Sequence, residues 1–271
     1  MLDLIAQCPA RVDGVIFPEL ALDLQIIQSL AVTLKHRTKA QFLIGGIRTE
    51  QSGRIRNEVY TALLGRNPIV WTQAKHHRWR LERGQLAMYG LPGLNREKRW
   101  WEDIDLCAES GLREAMFWQF RHGAILGSLV CEDLARVEPV HSAFRAIGPN
   151  LVVALLMDGP QLERRWAGKC STALSEDPGS SVLTLTSLGL VRRAERMDAR
   201  SYKIALWRDG SGLAQELEIW KGAHALLLQC AVDDEENWTL DGRSDHGNSV
   251  RITLRRTSDV VLQQPPSWAN Y

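Results

Sequence analysis

The sequence has no long apolar segment and no excess of charge of one sign. Its longest unbroken apolar run, Leu151–Met157, is far too short to cross a bilayer, and no basic and apolar leader opens the chain. Its 33 basic and 32 acidic residues give a formal net charge of +1, so the composition demands neither an anionic membrane nor nucleic acid. We therefore expect a cytoplasmic protein that does not contact a membrane.

The sequence is also poor in residues arranged to hold a metal, a phosphate or a disulfide. Seven histidines show no metal-ligand spacing, and no glycine-rich loop follows a strand and opens a helix, so we expect no metal and no cofactor. The cysteines are odd in number and scattered, which is typical of a reducing compartment. They are Cys8, Cys107, Cys131, Cys170 and Cys230.

Apolar residues are abundant enough for a large core, and their pattern predicts a layered α/β fold. They make up 45% of the 271 residues, and 24% are charged. Leu24–Leu34 has the periodicity of an amphipathic helix, whereas Val12–Phe17, Gln41–Ile47 and Leu151–Met157 read as strands. Strands and helices alternate in this way along most of the chain. We therefore predict two packed sheets with helices outside.

Three chemically useful residues each follow an apolar strand: Glu19, Lys75 and Cys131. A thiol must lose its proton to become a nucleophile, and a nearby carboxylate can accept that proton. A carboxylate alone would raise the pKa of the thiol by like-charge repulsion, so a cation beside the sulfur is needed. The lysine supplies this cation and can also stabilise an oxyanion. The set is suited to attack on an amide or a nitrile.

The segments that carry these residues resemble the signature motifs of the nitrilase, or carbon–nitrogen hydrolase, superfamily. They are Phe17-Pro18-Glu19, Ala74-Lys75-His76-His77 and Leu129-Val130-Cys131-Glu132-Asp133, in the order that the family shows. The resemblance runs from about residue 4 to residue 232. It implies an αββα four-layer sandwich whose members commonly form homo-oligomers.

The same resemblance implies roles for individual residues. Cys131 would be the nucleophile, Glu19 the general base and Lys75 the lysine that stabilises the oxyanion. Glu82 is the best match to a second glutamate that often follows the lysine in the family. The backbone N–H of Glu132 would complete the oxyanion hole, although many members have an aromatic residue there, and the acidic pair Glu132 and Asp133 would oppose thiolate formation unless both point away.

The two ends of the chain depart from the family pattern. Only a short helical piece precedes Val12, so the usual first strand is missing. We predict a hydrolase domain over residues 1–235 and a C-terminal extension over 236–271 with one strand, Val250–Arg256. That strand is expected to cover an exposed sheet edge or to pair with a neighbouring subunit.

The sequence thus predicts a hydrolase that cleaves a non-peptide C–N bond of a small molecule through a cysteine acyl-enzyme. The predicted substrate is an amide rather than a nitrile. The alternative is a nitrilase-like module with an assembly role, cut from or partnered with a larger protein such as a bacterial antiviral reverse transcriptase. Nucleic acid would be a partner only in such a fusion. Arg96–Trp101, a basic and aromatic cluster, is either a solvated loop or a contact for nucleic acid or another partner.

Overall fold

Strands and helices alternate along the chain in the computed structural model, which describes residues 1–51, 53–91, 93–102, 114–120, 123–194, 201–244, 246 and 249–265. The helices are α1 (Leu2–Gln7), α2 (Leu24–Arg37), α3 (Arg83–Met88), α4 (Glu132–Ala135), α5 (Ser142–Ile147), α6 (Trp166–Glu176) and α7 (Leu188–Ala194). The strands are β1 (Gly14–Asp23), β2 (Phe42–Gln51), β3 (Arg54–Leu63), β4 (Ile69–Ala74), β5 (Arg80–Leu81), β6 (Trp100–Trp101), β7 (Phe117–Gln119), β8 (Ile125–Val130), β9 (Leu151–Leu156), β10 (Ser181–Thr186), β11 (Lys203–Arg208), β12 (Ala214–Glu218), β13 (Ala225–Glu235) and β14 (Ser249–Val260).

The first sheet has the order β1-β2-β3-β4, with β1 at one edge. β1 and β2 are parallel and are joined by α2, whereas β2, β3 and β4 form an antiparallel meander. The fully buried Ile27 and Leu34 of α2 pack with Leu43 and Ile47 of β2. Their spacing of seven residues places them on one face of the helix, as the periodicity predicts.

The second sheet has the order β12-β11-β10-β9-β8-β7. Its centre is formed by the parallel strands β8, β9 and β10, and antiparallel strands lie on both sides. Every residue of β9 is buried, as expected of a parallel strand covered on both faces. The apolar run Leu151–Met157 is therefore a central strand.

The two sheets pack face to face and carry helices on their outer faces. Ile44 and Val59 of the first sheet share one apolar core with Leu129 and Val153 of the second. α2 covers the first sheet, and α6 packs on β10 and β11. This order of layers confirms the predicted four-layer α/β sandwich.

A buried side-chain amide also joins the two sheets. Gln73 on β4 donates from Nε2 to the carbonyl oxygen of Ser128 on β8 at 3.1 Å, and its Oε1 accepts the backbone N–H of Met116 at 2.8 Å. Gln73 is 3% exposed. Both strands that it joins continue directly into residues of the candidate active site.

The C-terminal strand forms a ribbon with β13, and in the described residues it pairs with no other strand. β13 and β14 are antiparallel from Ala225–Val260 to Glu235–Ser249. The ribbon is attached to the second sheet, because Asn150 Nδ2 donates to the carbonyl oxygen of Val250 at 2.6 Å. The strand expected at Val250–Arg256 is therefore longer, and its partner is the preceding strand of the same chain.

Candidate active site

Cys131 occupies a strained turn between β8 and α4. Its φ of +46° and ψ of −106° are unfavourable for a residue with a Cβ atom. Two backbone hydrogen bonds hold this turn: the N–H of Cys131 donates to Leu155 at 2.8 Å, and its carbonyl oxygen accepts from Leu134 at 2.9 Å. The residue is 5% exposed. The chain therefore presents the thiol at the carboxyl end of a central strand, as predicted.

Glu19 lies inside β1, whereas the sequence predicted that it would follow the strand. The pairing of β1 with β2 shifts register between Phe17 and Leu22, and Leu20 has a φ of +52°. A Cβ atom at Gly46 would lie 2.4 Å from the Glu19 Cα atom, so a glycine is required where the two strands approach. The irregularity turns the Glu19 carboxylate into the interior, where its side chain is 0% exposed.

Lys75 directly follows β4, as predicted, and its ammonium group is buried between two carboxylates. Nζ lies 3.2 Å from Oε1 of Glu19 and 2.7 Å from Oε2 of Glu102, and the side chain is 1% exposed. The backbone N–H of Lys75 donates to Asn57 at 2.9 Å. A buried lysine is costly unless it is paired, and here it has two partners of opposite charge.

Asn57 completes a closed set of contacts around Lys75. Its Nδ2 donates to Oε1 of Glu19 at 2.6 Å and to Oε1 of Glu102 at 2.8 Å. One amide group therefore sets the separation of the two carboxylates. We call Glu19, Asn57, Lys75 and Glu102 the buried polar cluster.

Glu102 takes the place that the sequence assigned to Glu82. The Glu82 carboxylate forms an ion pair with Arg80 and caps α3, and its side chain is 61% exposed. Glu102 follows β6, and its Oε2 also accepts the backbone N–H of Trp79 at 3.2 Å. The short β5–β6 ladder brings it there. Glu102 directly follows Arg96–Trp101, the basic and aromatic cluster whose role the sequence did not decide. No rule of sequence spacing identifies Glu102 as a site residue.

Burial and neighbouring charges compete in setting the pKa values of the candidate site. It raises the pKa of Glu19, against the lowering effects of the Lys75 charge and the Asn57 hydrogen bond. Burial and the Glu19 charge raise the pKa of the Cys131 thiol, whereas Lys75 and the backbone N–H of Met157 lower it. Burial tends to lower the pKa of Lys75, but the charges of Cys131, Glu19 and Glu102 outweigh it and raise that pKa. Lys75 therefore remains a cation.

One oxygen of Glu19 is available for proton transfer. Oε1 accepts from both Asn57 and Lys75, whereas buried Oε2 has no hydrogen-bond partner among the described residues. A carboxylate with a raised pKa and an unpaired oxygen can accept a proton from a nearby thiol. The Glu19 charge raises the pKa of the Cys131 thiol and the Lys75 charge lowers it. The segments that carry Lys75 and Cys131 are in contact, because Asp133 accepts the backbone N–H of His76 at 3.0 Å.

The two acids after Cys131 both have partners. Glu132 pairs with Arg136 at 2.8 Å. Asp133 is fully buried and accepts the backbone N–H groups of His76 at 3.0 Å and of His77 at 2.9 Å. Neither acid is among the main influences on the thiol pKa. These contacts resolve the charge conflict that the sequence raised.

A cleft of about 680 Å³ opens next to the buried polar cluster. Its lining includes Glu132, which follows Cys131 in the chain, and Trp79, whose backbone N–H donates to Glu102. Its lining also contains Arg80, Glu82 and Arg136. Indole rings and charged groups of both signs therefore line the cleft.

The structure also bears on the other cysteines, on possible metal-binding groups and on possible membrane-spanning helices. Cys107 lies outside the described residues, Cys8 and Cys170 are half-buried, and Cys230 is exposed. The described residues contain no group of three His, Cys, Asp or Glu side chains that could hold a metal ion. None of the described helices is long and apolar enough to span a membrane.

Comparison with known proteins relates the chain to solved structures. No protein-family model matches the sequence, and neither does any curated protein sequence. The structure is similar to Nit3 of Saccharomyces cerevisiae, a member of branch 10 of the nitrilase superfamily, with a TM-score of 0.53 and 13% identity over 79% of this chain and 76% of Nit3. The protein therefore has the nitrilase fold.

Two further solved structures match the chain at lower TM-scores. One is XC1258 of Xanthomonas campestris, a CN-hydrolase superfamily protein, with a TM-score of 0.44 and 16% identity over 80% of this chain and 76% of that one. The other is the glutamine-dependent NAD+ synthetase of Acinetobacter baumannii, with a TM-score of 0.44 and 15% identity over 76% of this chain. The chain spans 41% of the length of the synthetase.

Proposed function

We propose that the protein hydrolyses a non-peptide C–N bond, an amide rather than a nitrile, through a thioester on Cys131. The observation that carries the proposal is the buried polar cluster beside the turn that presents Cys131. Lys75 lies 3.2 Å from Glu19 and 2.7 Å from Glu102, and the exposed fractions of these side chains are 1% for Lys75, 0% for Glu19 and 17% for Glu102. Such an arrangement costs free energy to bury, and acid–base chemistry is a function that requires it.

Acylation begins when Glu19 Oε2 takes the proton of the Cys131 thiol. The sulfur attacks the carbonyl carbon, and the carbonyl electrons move to oxygen. Lys75 and the backbone N–H of Glu132 stabilise this oxyanion. Loss of one such donor typically lowers the rate by about a hundredfold or more. The intermediate collapses as the C–N bond breaks, and Glu19 returns its proton to the leaving amine. The products are a free amine and a thioester.

Deacylation repeats the same proton transfers with water. Glu19 takes a proton from a water molecule, whose oxygen attacks the thioester carbon. Collapse of the second oxyanion breaks the C–S bond, and the proton passes from Glu19 to the departing thiolate. Asn57 and Glu102 act as positioning residues throughout, because they hold Glu19 and Lys75 without touching the reacting atoms.

A thiol-directed amide analogue tests this function. The full chain is incubated with the analogue, and the adduct is located by peptide mass spectrometry. We expect labelling at Cys131, loss of labelling in Cys131→Ala, and slower labelling in Glu19→Gln because the thiol then lacks its base. Cys170→Ala is the matched control, and it should label like the wild type.

A panel of small amides and nitriles then separates the two substrate types, since only amides release an amine or ammonia with a single water. Labelling at another cysteine, or turnover by Cys131→Ala, would contradict the assignment of the nucleophile. The homo-oligomer expected from the resemblance remains a prediction, which light scattering on the full chain checks.

A further inference from the structure

A second concave site, which we call the basic pocket, lies at the opposite end of the first sheet from the buried polar cluster. It has a volume of about 580 Å³ and is lined by Lys35, Lys39, Arg66, Gln41, Gln119 and Phe120, among others. Within the β2–β3 ladder, Leu63 beside the pocket pairs with Phe42, whereas Asn57 pairs with Arg48. Six residues of strand separate these levels, or about 20 Å. The pocket is therefore a different place from the cleft beside Cys131.

The basic pocket concentrates positive charge in a chain that is otherwise balanced. Among the described residues, three cations and no carboxylate line it, although the whole chain has 33 basic and 32 acidic residues. The ammonium of Lys35 donates to the carbonyl oxygen of Arg66 at 3.4 Å. In the described part of the chain, neither Lys39 nor Arg66 has an ion pair, whereas most arginines near the cleft and the ribbon do.

The end of α2 accounts for only part of this charge. Lys35, His36 and Arg37 lie in its last turn, where cations offset the negative end of the helix dipole. Lys39 lies beyond the helix end, and Arg66 lies in the turn between β3 and β4. Both residues line the same concavity, next to the end of α2 at Thr38. An anion is the partner that such an arrangement lacks.

The neutral lining favours a ligand with both a phosphate and a planar group. Side-chain amides of Gln41 and Gln119 provide donors and acceptors on the walls. The Phe120 ring is half-buried and packs edge-to-face on Phe42 at 5.7 Å between centroids, so it is fixed in place. Lysine ammonium and arginine guanidinium groups bind phosphate oxygens, and an aromatic ring can stack on a base. We propose that the basic pocket binds a phosphate-bearing ligand of the nucleotide class.

Binding of three probes to the full chain tests the proposal: inorganic phosphate, ATP, and a fluorescent single-stranded oligonucleotide of about 12 nucleotides. We expect saturable binding of at least one probe at physiological salt. Binding should weaken by about tenfold or more in Lys39→Gln/Arg66→Gln, since each lost cation removes a direct charge contact. Lys221→Gln, an exposed lysine in the turn after β12, is the matched control and should bind like the wild type.

The three probes distinguish the possible sources of the phosphate. Tighter binding of ATP than of phosphate supports a free nucleotide and contact with the base. Preference for the oligonucleotide, with a salt dependence that becomes less steep in the double variant, supports nucleic acid. Binding of phosphate and ATP with equal affinity would overturn the assignment of the ligand to the nucleotide class. Failure of all three probes to bind, or equal weakening in Lys221→Gln, would overturn the proposal.

The proposal stands apart from the hydrolase function, and the same variants show this. Cys131→Ala should bind the probes like the wild type, and Lys39→Gln/Arg66→Gln should retain its labelling at Cys131. Both substituted residues are exposed, so the double variant should keep the thermal stability of the wild type. If it unfolds, Lys35→Gln provides the second variant, and it should weaken the same probes.

Discussion

The carboxylate of Asp133 accepts both the backbone N–H of His77, at 2.9 Å, and the ring Nδ1 of His77, at 3.0 Å. A carboxylate can only accept, so Nδ1 carries a proton in this contact. Asp133 lies two residues after Cys131, and His77 lies two residues after Lys75. The fully buried Asp133 therefore fixes the loop that follows the lysine to the turn that presents the thiol.

Asp133→Asn should lower kcat by about a hundredfold, because a shift of about 1 Å in a catalytic group has a cost of that order. In the wild type, donors of His76 and His77 share two carboxylate oxygens, whereas the asparagine amide offers them only one. The NH2 group of the new amide would lie against these donors and cannot accept from them. We expect steady-state kinetics to show a lower kcat with little change in KM. Asp177→Asn, which breaks an exposed ion pair with Arg145, is the control and should leave both constants unchanged. Equal effects of the two substitutions would contradict a positioning role for Asp133.

The strained backbone of Cys131 predicts an unusual order of stability. Cys131→Gly should be more stable than Cys131→Ala by about 1 kcal/mol, because glycine adopts a φ of +46° without steric cost. Urea unfolding of the two variants measures the difference. Ser128 lies in β8 outside the positive-φ region, so there the order should reverse, with Ser128→Gly less stable than Ser128→Ala. If the glycine variant were less stable than the alanine variant at both positions, the result would argue against strain at Cys131.

The acid limb of activity should move when Asn57 is replaced. Glu19 must be ionised to accept a proton, so kcat/KM should rise with pH as Glu19 loses its own proton. The Asn57 hydrogen bond lowers the pKa of Glu19, against the larger raising effect of burial. Asn57→Ala should therefore raise that pKa and shift the acid limb to higher pH.

A pH–rate profile of kcat/KM measures this shift, and Asn67→Ala, in the exposed turn between β3 and β4, is the matched control. The control should titrate like the wild type. A shift to lower pH in Asn57→Ala would show that Glu19 is not the group whose ionisation controls the acid limb.

The segment after residue 235 should contribute to the stability of the whole domain. Ile252 on β14 is 3% exposed and packs into the core between the sheets. Ile252→Ala should lower the free energy of unfolding by about 2–5 kcal/mol, as for other buried aliphatic residues. Leu240, in the same segment, is fully exposed, and Leu240→Ala should change it by less than about 0.5 kcal/mol. Two transitions in thermal unfolding, with only one of them sensitive to Ile252→Ala, would show instead that the segment folds separately.

The parts of the site that the sequence predicted are those that depend on strand ends. Lys75 and Cys131 directly follow β4 and β8, because an apolar run and its end are local features of the chain. Glu19 was expected after a strand and lies within one, because the irregularity depends on the close approach of Gly46 from the neighbouring strand. Such a contact between neighbouring strands produces no periodic pattern in the sequence from which it could be predicted.

Glu102 could not be found from the sequence for a related reason. It reaches Lys75 through a ladder of only two residue pairs, Arg80–Trp101 and Leu81–Trp100, which is too short to show alternation. Glu82 was the nearer acid along the chain, but the capping box that it forms with Gln85 turns it to the surface. Distance along the chain was therefore a poor guide to which carboxylate faces the lysine.

The amide bridge from Gln73 to Ser128 determines how the site responds to a ligand. Gln73 is two residues before Lys75, and Ser128 is three residues before Cys131, so the bridge lies directly behind both groups. Sliding one sheet past the other would break a hydrogen bond that no water can replace in a closed core. The groups that we propose as catalytic are thus held in place by the core itself, and we expect any adaptation to different substrates in the loops that line the cleft.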